Sequence, residues 1–276
     1  MKISRRDFLK TTALTSLYFA GFGSPTLADS GPKKNLVVIM LRGGMDGLCA
    51  LPIKGDKNFE KLRSKINLDR TLQLTSDFDL HPALETFKQL WDQNLGAAVH
   101  ATNIPYTGRS HFDGQNLMET GGKIPYQEKT GWLGRGMNIA GLTGNGLALA
   151  LPMPLLIRGV PMNNNYYPVG DRLPSNATLG LIEQAFKEYD EKLLSENLKI
   201  VMTRDLKNTG SRKNWSLAAN AGEELSKSNG PRVAVFEIDG FDTHAAQGGV
   251  NGSHSDSLIE MDSIFKSLEK GLGSEI

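Results

Sequence analysis

The stretch that decides the fold is Asn35-Leu36-Val37-Val38-Ile39-Met40-Leu41-Arg42-Gly43-Gly44-Met45-Asp46-Gly47. Residues 35–41 form a continuous apolar run, which predicts a strand buried in a parallel sheet. Gly43 and Gly44 favour a tight exit from this strand, and that exit presents Asp46 at its carboxyl end. Because the glycines lack the G-x-G-x-x-G spacing and the G-K-[ST] ending, a dinucleotide or nucleoside-triphosphate site has little support.

The rest of the chain alternates between strand and helix patterns. Further strands are predicted at residues 95–101 and 232–238, and the proline-interrupted residues 146–158 predict an edge strand or two short pieces. Helices are predicted at residues 82–94, from Ser110, from Thr178 through Leu193, at the surface within 208–229, and at 255–272. Residues 163–176 are expected to form an exposed loop. This alternation predicts an α/β fold in which a mainly parallel sheet is flanked by helices.

The N-terminus carries the pattern of an export signal. Residues 4–10 read Ser4-Arg5-Arg6-Asp7-Phe8-Leu9-Lys10, and a mild apolar stretch and the small-residue site Thr26-Leu27-Ala28 follow them. We therefore predict a twin-arginine signal peptide at residues 1–28, a mature domain at residues 29–276, and a periplasmic or extracellular location. The apolar stretch is shorter than the roughly 20 residues that span a bilayer, so no stable membrane anchor is expected. The alternative is a cytosolic N-terminus that is basic by chance.

The composition limits the possible partners and metal ligands. The chain has 31 basic and 30 acidic residues, and loss of the leader removes four basic residues and one acidic residue. A near-neutral chain without a basic block is a poor candidate for binding nucleic acid. Cys49 is the single cysteine, which excludes an intramolecular disulfide and a zinc site built from cysteines. A metal would have to be held by His, Asp or Glu.

Polar side chains follow each of the three predicted strands. In a parallel α/β sheet, functional residues gather beyond the carboxyl ends of the strands. Asp46 follows the first strand, residues 102–113 follow the second, and Asp239, Asp242 and His244 follow the third. We therefore expect carboxylate, hydroxyl and imidazole groups along one rim of the sheet.

Asp242 and His244 are candidate metal ligands. Side chains two positions apart in an extended chain leave the same face about 6–7 Å apart. A carboxylate and an imidazole in that arrangement can converge on one ion at ligand distances of ~2.0–2.2 Å. Asp46 would supply a further oxygen, so the predicted site holds a divalent metal, with zinc as a candidate, through Asp46, Asp242 and His244. The alternative is an ordinary hydrogen-bonded pair at the surface.

Arg109, Ser110 and His111 are candidate catalytic residues. A serine at a helix N-cap lies among free backbone N–H groups at the positive end of the helix dipole, which favours an anion such as phosphate or sulfate. Arg109 could bind the same anion in a bidentate manner, and His111 could orient a group or ligate a metal. The alternative for Ser110 is plain capping, and for His111 a structural role. His81, His100 and His254 receive no role, and His254 is expected in an exposed loop.

Several of these segments together resemble a known family. They are the twin-arginine leader, residues 41–48, residues 109–115, residues 131–135 and residues 241–244. In this order they resemble the bacterial exported proteins of domain-of-unknown-function family 1501, which are related to sulfatases and alkaline phosphatases. The resemblance implies an alkaline-phosphatase-like fold, a metal site with Asp46, Asp242 and His244 as ligand candidates, and Ser110 near the nucleophile position. The family has no well-defined activity, so no substrate follows.

The same resemblance implies a C-terminal truncation. Proteins of this kind usually continue past the helix that ends here at Leu272, into another strand and a later Asp-His pair that completes the metal site. This sequence ends at Ile276, so the resemblance implies an incomplete sheet and missing ligands.

Three functions remain open from the sequence. The first is a metal-dependent hydrolase of the phosphatase or sulfatase type that acts on a small anionic ester or a carbohydrate-linked substrate. The second is a non-catalytic exported binding module with the same fold, and the third is an inactive fragment. In each case the leader predicts the twin-arginine export machinery as a partner.

Overall fold

The computed structural model describes residues 34–150, 152–159, 164–165, 175–188, 211 and 213–273. The strands are β1 (Leu36–Leu41), β2 (Leu72–Gln73), β3 (Asp79–Leu80), β4 (Gly146–Ala148), β5 (Asn164–Asn165) and β6 (Val233–Ile238). The helices are α1 (Gly47–Ala50), α2 (Lys57–Leu62), α3 (Glu85–Asp92), α4 (His111–Thr120), α5 (Trp132–Ile139), α6 (Asn176–Glu188), α7 (Asn214–Ser226) and α8 (Ser253–Leu272). One turn of 3-10 helix lies at Leu155–Ile157.

The described residues form two compact units. One contains α6, and the other contains all the remaining helices and strands. In the larger unit, the main sheet has the order β1-β6-β4-β5, and every pairing in it is parallel. A separate two-stranded antiparallel sheet joins β2 to β3. The molecule is therefore a mixed α/β protein with a parallel sheet, as the sequence predicts.

Strand β6 lies at the centre of the hydrophobic core. Val233 and Val235 are fully buried and pack in one cluster with Leu133 and Met137 of α5. Because successive side chains of a strand point to opposite faces, the buried Phe236 lies on the other face of the sheet. The continuous apolar pattern of this strand thus reflects burial on both faces.

Helices α7 and α8 pack closely against each other. A Cβ at Gly222 of α7 would lie 2.7 Å from the Cα of Gly271 in α8, so the backbones meet where neither residue has a side chain. Helix α8 also stabilises the start of α3, because the Asp262 carboxylate accepts hydrogen bonds from the backbone N–H groups of Thr86 (2.9 Å) and Phe87 (3.0 Å). Within the described part of the chain, none of these helices has the length and apolarity to cross a membrane.

Most of the predicted elements are confirmed. Strands β1 and β6 and helices α3, α4, α7 and α8 lie within two or three residues of the predicted bounds or inside the predicted range. Residues 146–158 form two short pieces, β4 and the 3-10 turn, and β4 lies inside the sheet rather than at its edge. Helix α6 confirms the start of the helix predicted from Thr178. Its predicted end at Leu193 and the leader at residues 1–28 lie outside the described residues. Most of the loop predicted at 163–176 lies outside them as well, and the prediction is wrong at Asn164–Asn165, which form β5.

The strand predicted at residues 95–101 is wrong. This segment has no regular structure, and the side chains of Leu95 and Val99 are 59% and 79% exposed. The two ends of this segment contact residues outside the main sheet. A Cβ at Gly96 would lie 3.1 Å from the backbone of Trp91, and the His100 ring packs on Phe78 with a centroid distance of 5.2 Å. These contacts direct the segment toward the small antiparallel sheet, and the outer edge of β1 pairs with no described strand.

Candidate metal centre

The centre forms where β1 and β6 end side by side. Leu41 at the end of β1 is in register with Ile238 at the end of β6. The loop after β1 and the loop after β6 therefore leave the same edge of the sheet. The N-terminus of α4 lies beside them, because a Cβ at Gly44 would be 3.4 Å from the His111 ring. Three separate segments of the chain thus meet at one point.

Gly43 makes this meeting possible. It has φ of +116°, and a Cβ there would lie 2.3 Å from the backbone nitrogen of Asp242. Only glycine tolerates both the backbone conformation and the contact. The sequence predicts that Gly43 and Gly44 allow the tight turn after β1. The structure adds that Gly43 lets the loop after β6 approach the loop after β1.

His111, Asp242 and His244 form a cluster that could hold a metal ion. One potential ligand atom from each residue lies within 4.8 Å of the others. Oδ1 of Asp242 is 3.0 Å from Nε2 of His111 and 2.9 Å from Nε2 of His244. All three side chains are exposed to solvent. The site is therefore reachable by an ion or a ligand from solution.

The donor set fits a divalent cation, with zinc as a candidate. Two imidazole nitrogens and one carboxylate oxygen are a ligand combination found at catalytic zinc sites, which keep a further position open. Ligand atoms in a tetrahedral zinc site lie about 3.4 Å apart, because each is ~2.0–2.1 Å from the ion. The observed separations of 2.9 and 3.0 Å are close to that value. The three side chains thus present the donor types and two of the separations that a zinc site requires.

The loop after β6 has an unusual backbone at His244. His244 has φ of +47°, and Ala246 has φ of +53°, both in the left-handed region that non-glycine residues seldom adopt. Such conformations are found disproportionately at functional sites, where the surrounding contacts hold them in place. Here the conformation brings the His244 ring to within 5.8 Å of the His111 ring, centroid to centroid.

Asp46 is not part of this cluster. Its carboxylate forms an ion pair with Arg63 and accepts hydrogen bonds from Gln247 Nε2 (2.7 Å) and from the Cys49 thiol (3.1 Å). Burial acts to raise the pKa of Asp46, but the hydrogen bonds from Arg63, Gln247 and Cys49 and the charge of Arg63 together hold it well below its usual range. Burial and the neighbouring carboxylate raise the pKa of the Cys49 thiol to about 12. Asp46 therefore has a protein cation as its partner in this structure.

An ion cluster connects the sheet to α4. The Arg42 guanidinium donates to Glu119 Oε1 of α4 (2.6 Å) and to Glu237 of β6, and Glu119 Oε2 accepts from the backbone N–H of Leu156 (2.9 Å). Burial and the charges of Glu119 and Asp239 raise the pKa of Glu237, although its bond to Arg42 opposes this shift. These contacts fix α4 against the sheet and so determine where His111 lies.

Ser110 is the N-cap of α4. Its Oγ accepts a hydrogen bond from the backbone N–H of Asp113 (3.2 Å), and the helix ends at Gly121 with φ of +66°. Arg109 is exposed and forms no ion pair with any residue that the structure describes. Arg109, Ser110 and His111 all line one cavity of about 540 Å³ between α4 and β1. Capping is thus confirmed, and it leaves the serine beside the metal cluster.

Two histidines outside the cluster are deeply buried. His81 donates from Nε2 to the carbonyl of Gly249 (3.0 Å), and its Nδ1 accepts from the N–H of Ala83 (3.1 Å). The expectation that His254 is exposed is wrong, since it lies in the first turn of α8 and is 1% exposed. Burial lowers the pKa of both imidazoles. They are therefore neutral groups of the core rather than members of the metal cluster.

The structure thus brings together two of the three predicted metal ligands and replaces the third. Asp242 and His244 meet His111, which the sequence marks as a group that could ligate or orient, while Asp46 binds Arg63. No sequence signal singles out Arg63, and Gln247 lies in the same loop as His244 without a motif of its own. Comparison of the chain with protein-family models, with curated proteins and with solved structures finds no match to any of them.

Proposed function

We propose that the protein is an exported, metal-dependent hydrolase of phosphate or sulfate esters with an alkaline-phosphatase-like α/β fold, related to domain-of-unknown-function family 1501. The observation that carries the proposal is the position of His111. Its ring belongs to the cluster with Asp242 and His244, and its backbone begins the first turn of α4 beside Ser110. One site therefore offers ligands for a cation and donors for an anion, the combination that stabilises a charged ester and its leaving oxygen.

The anionic group of the ester would bind at the start of α4. The first N–H groups of a helix have no partner within it and lie at the positive end of its dipole. Arg109 adds an exposed guanidinium that matches the paired oxygens of phosphate or sulfate. These donors recognise the acid part of the substrate, whichever alcohol is attached to it.

The cation would be held by His111, Asp242 and His244. A bound divalent ion would supply Lewis-acid polarisation of the ester and an activated water. Asp242 is the one carboxylate among the three described ligands, so the chain contributes a single negative charge to the ion. Two neutral imidazoles and one carboxylate leave a divalent site with net positive charge, which favours an anionic substrate.

Ser110 would stand at the nucleophile position. Its Oγ accepts from the Asp113 N–H, and this contact fixes the oxygen at the mouth of the cavity that His111 also lines. A nucleophile held by the backbone needs no further ordering before it meets the bound ester. In the same site, an incoming water would approach the anion from the solvent-exposed side of the cluster.

A non-catalytic binding module is the second candidate function. It is favoured by the ion pair between Asp46 and Arg63, which removes one predicted ligand from the centre. The three remaining ligands are all exposed, so the chain excludes little water from the ion. Such a module would still bind a metal and an anion, but it would not hydrolyse an ester.

Metal analysis combined with an ester assay distinguishes the two. The purified chain would be stripped with a chelator, reloaded with zinc and assayed with 4-nitrophenyl phosphate and 4-nitrophenyl sulfate. We expect about one zinc per chain, with release of nitrophenol that is lost in Asp242→Ala and His111→Ala. Asp92→Asn is the matched control, because this exposed carboxylate lies on α3 and pairs only locally with Lys88. Stoichiometric zinc without turnover would establish the binding module, and absence of bound zinc would refute both.

Export is proposed on the leader motif alone. A double substitution, Arg5→Lys with Arg6→Lys, keeps the charge of the leader but removes the arginine pair that the machinery reads. Fractionation of cells that express each form would follow the mature protein. Equal amounts of mature protein outside the cytoplasm for both forms would refute the twin-arginine route.

A further inference from the structure

We infer that the site selects esters whose alcohol is apolar and aromatic, and that this alcohol occupies the cavity between α4 and β1. The inference rests on the proposed hydrolase function, since it names the substrate class of the same site. The inference favours small apolar esters over hydroxyl-rich, carbohydrate-linked esters that carry the same anionic group. The cavity shares His111 with the candidate metal centre, so the alcohol part of an ester bound at the centre would lie inside the cavity.

The cavity begins at the metal cluster and extends along α4. It is lined by Arg109, Ser110 and His111 at the start of the helix. It continues past Gly114 to Met118, and Ser110, Gly114 and Met118 are spaced by four residues on one face. Eight residues of α-helix span about 12 Å, which accommodates an ester group followed by a two-ring aromatic group. Its volume of about 540 Å³ is that of a small-molecule site.

The wall of the cavity away from the cluster is apolar. Its lining residues include Ile39 and Met40 from β1, Met45 from the following loop, Ile104 and Met118. Methionine is flexible and polarisable, and it makes favourable contacts with aromatic rings of varied shape. Among the described residues that line the cavity, Arg109 is the one that carries a permanent charge, and it directly precedes the N-cap of α4.

Two of the polar side chains that line the cavity are already engaged. The Tyr106 hydroxyl donates to Asp113 (3.1 Å), and Gln115 Oε1 accepts from Arg42 (3.3 Å). A sugar placed in this cavity would lose its hydrogen bonds to water, which is unfavourable for each buried hydroxyl that finds no new partner. An aromatic group loses no hydrogen bonds and gains burial. The wall thus favours the aromatic alcohol.

Gly114 provides the space for this group. A Cβ at Gly114 would lie 3.5 Å from the Tyr106 ring and 3.8 Å from Ile104, so alanine would fit, while a longer side chain would enter the cavity. Gly114→Leu is therefore a filling variant. Gly136→Leu is its matched control, because Gly136 is also inside a helix, is exposed, and has no atom within 4 Å of a Cβ.

The first measurement compares two esters with the same acid group. The zinc-loaded chain would be assayed with 2-naphthyl phosphate and glycerol 2-phosphate. In each reaction the phosphoryl group passes to water, the bond from phosphorus to the alcohol oxygen breaks, and the alcohol leaves with a proton from that water. We expect kcat/KM to be at least tenfold higher for the naphthyl ester. Gly114→Leu should lower this ratio about tenfold, and Gly136→Leu should leave it unchanged.

The second measurement needs neither metal nor turnover. Binding of 2-naphthol to the metal-free chain would be followed by its fluorescence, and Gly114→Leu should weaken it at least tenfold relative to Gly136→Leu. Naphthol binding with this pattern but no hydrolysis of any ester would support the cavity inference and refute the hydrolase. Hydrolysis of both esters with equal kcat/KM, or naphthol binding unaffected by Gly114→Leu, would overturn the inference and leave the hydrolase standing.

Discussion

Gly43 lies directly against the peptide of Asp242, with room for a hydrogen and not for a methyl group. This contact joins the loop after β1 to the loop after β6. It places one ligand of the candidate metal centre by backbone contact rather than by a side-chain bond. The stability of the sheet edge and the geometry of the centre should therefore depend on the same glycine.

Gly43→Ala tests this dependence. We expect a loss of about 2–4 kcal/mol in the free energy of unfolding, because the change adds both a clash and a disfavoured backbone conformation. Zinc affinity should fall by at least tenfold as Asp242 is displaced. Urea unfolding and a zinc titration measure the two effects. Gly144→Ala is the control, since Gly144 has φ of +80° but no atom within 4 Å of a Cβ, and an equal loss there would show that the contact with Asp242 contributes nothing.

His244 allows the ligand to be removed without disturbing the backbone. Asparagine tolerates the left-handed conformation, so His244→Asn should unfold at nearly the wild-type urea midpoint while the zinc content falls. His244→Val removes the same imidazole but strains the backbone, and it should cost about 1–2 kcal/mol more. Paired unfolding curves and metal analysis check both statements. Full zinc occupancy in His244→Asn would exclude this residue as a ligand.

Asp46 should make stability depend on acid pH. Its folded-state pKa is held below the unfolded value, so its contribution is present above about pH 3.9 and is lost as the pH falls toward the folded-state pKa. Asp46→Asn should lower the free energy of unfolding at pH 7 by about 1–3 kcal/mol, because Arg63 loses its partner. The difference from wild type should shrink as the pH falls from about 4 to about 2. A constant difference over that range, or an equal effect in Asp92→Asn, would contradict the assignment.

Glu237 and Glu119 both bind Arg42, but neutralising each of them should change the free energy of unfolding by a different amount. Burial raises the pKa of Glu237, so its charge is disfavoured in the folded state, and Glu237→Gln should change the free energy of unfolding at pH 7 by less than about 1 kcal/mol. Glu119 also accepts from Leu156, so Glu119→Gln should cost about 2 kcal/mol or more. Chemical unfolding of both variants gives the comparison. Equal losses would show that the carboxylates are equivalent partners.

The fold follows the sequence where burial sets the pattern. Strands β1 and β6 are continuous apolar runs because both faces of a parallel sheet are covered, and α8 shows its apolar residues at helical spacing. Residues 95–101 have the same local pattern but do not pair. Gly96 packs against Trp91 at the end of α3, and His100 packs on Phe78, 22 residues earlier in the chain, a contact that no local pattern reveals.

The candidate site is predictable in position but not in composition. Asp242 and His244 follow a strand end, and Ser110 precedes a helix, so the rim of the sheet is where the sequence predicts it. The exchange of Asp46 for His111 depends on Arg63, the residue that follows the end of α2, whose partner cannot be read from spacing. His254 is likewise buried by the packing of α8, although the residues around it are those of an exposed loop.

The pairing of β1 with β6 also sets the order of events during synthesis. Arg42 and Glu237, which join the ends of these strands, are 195 residues apart in the chain. At ribosomal rates of about 5–20 residues per second, β1 waits roughly 10–40 s for its neighbour. During that interval an apolar strand has both edges open and needs protection from association with other chains. The candidate metal centre is therefore created only after the loop that follows β6 has been synthesised.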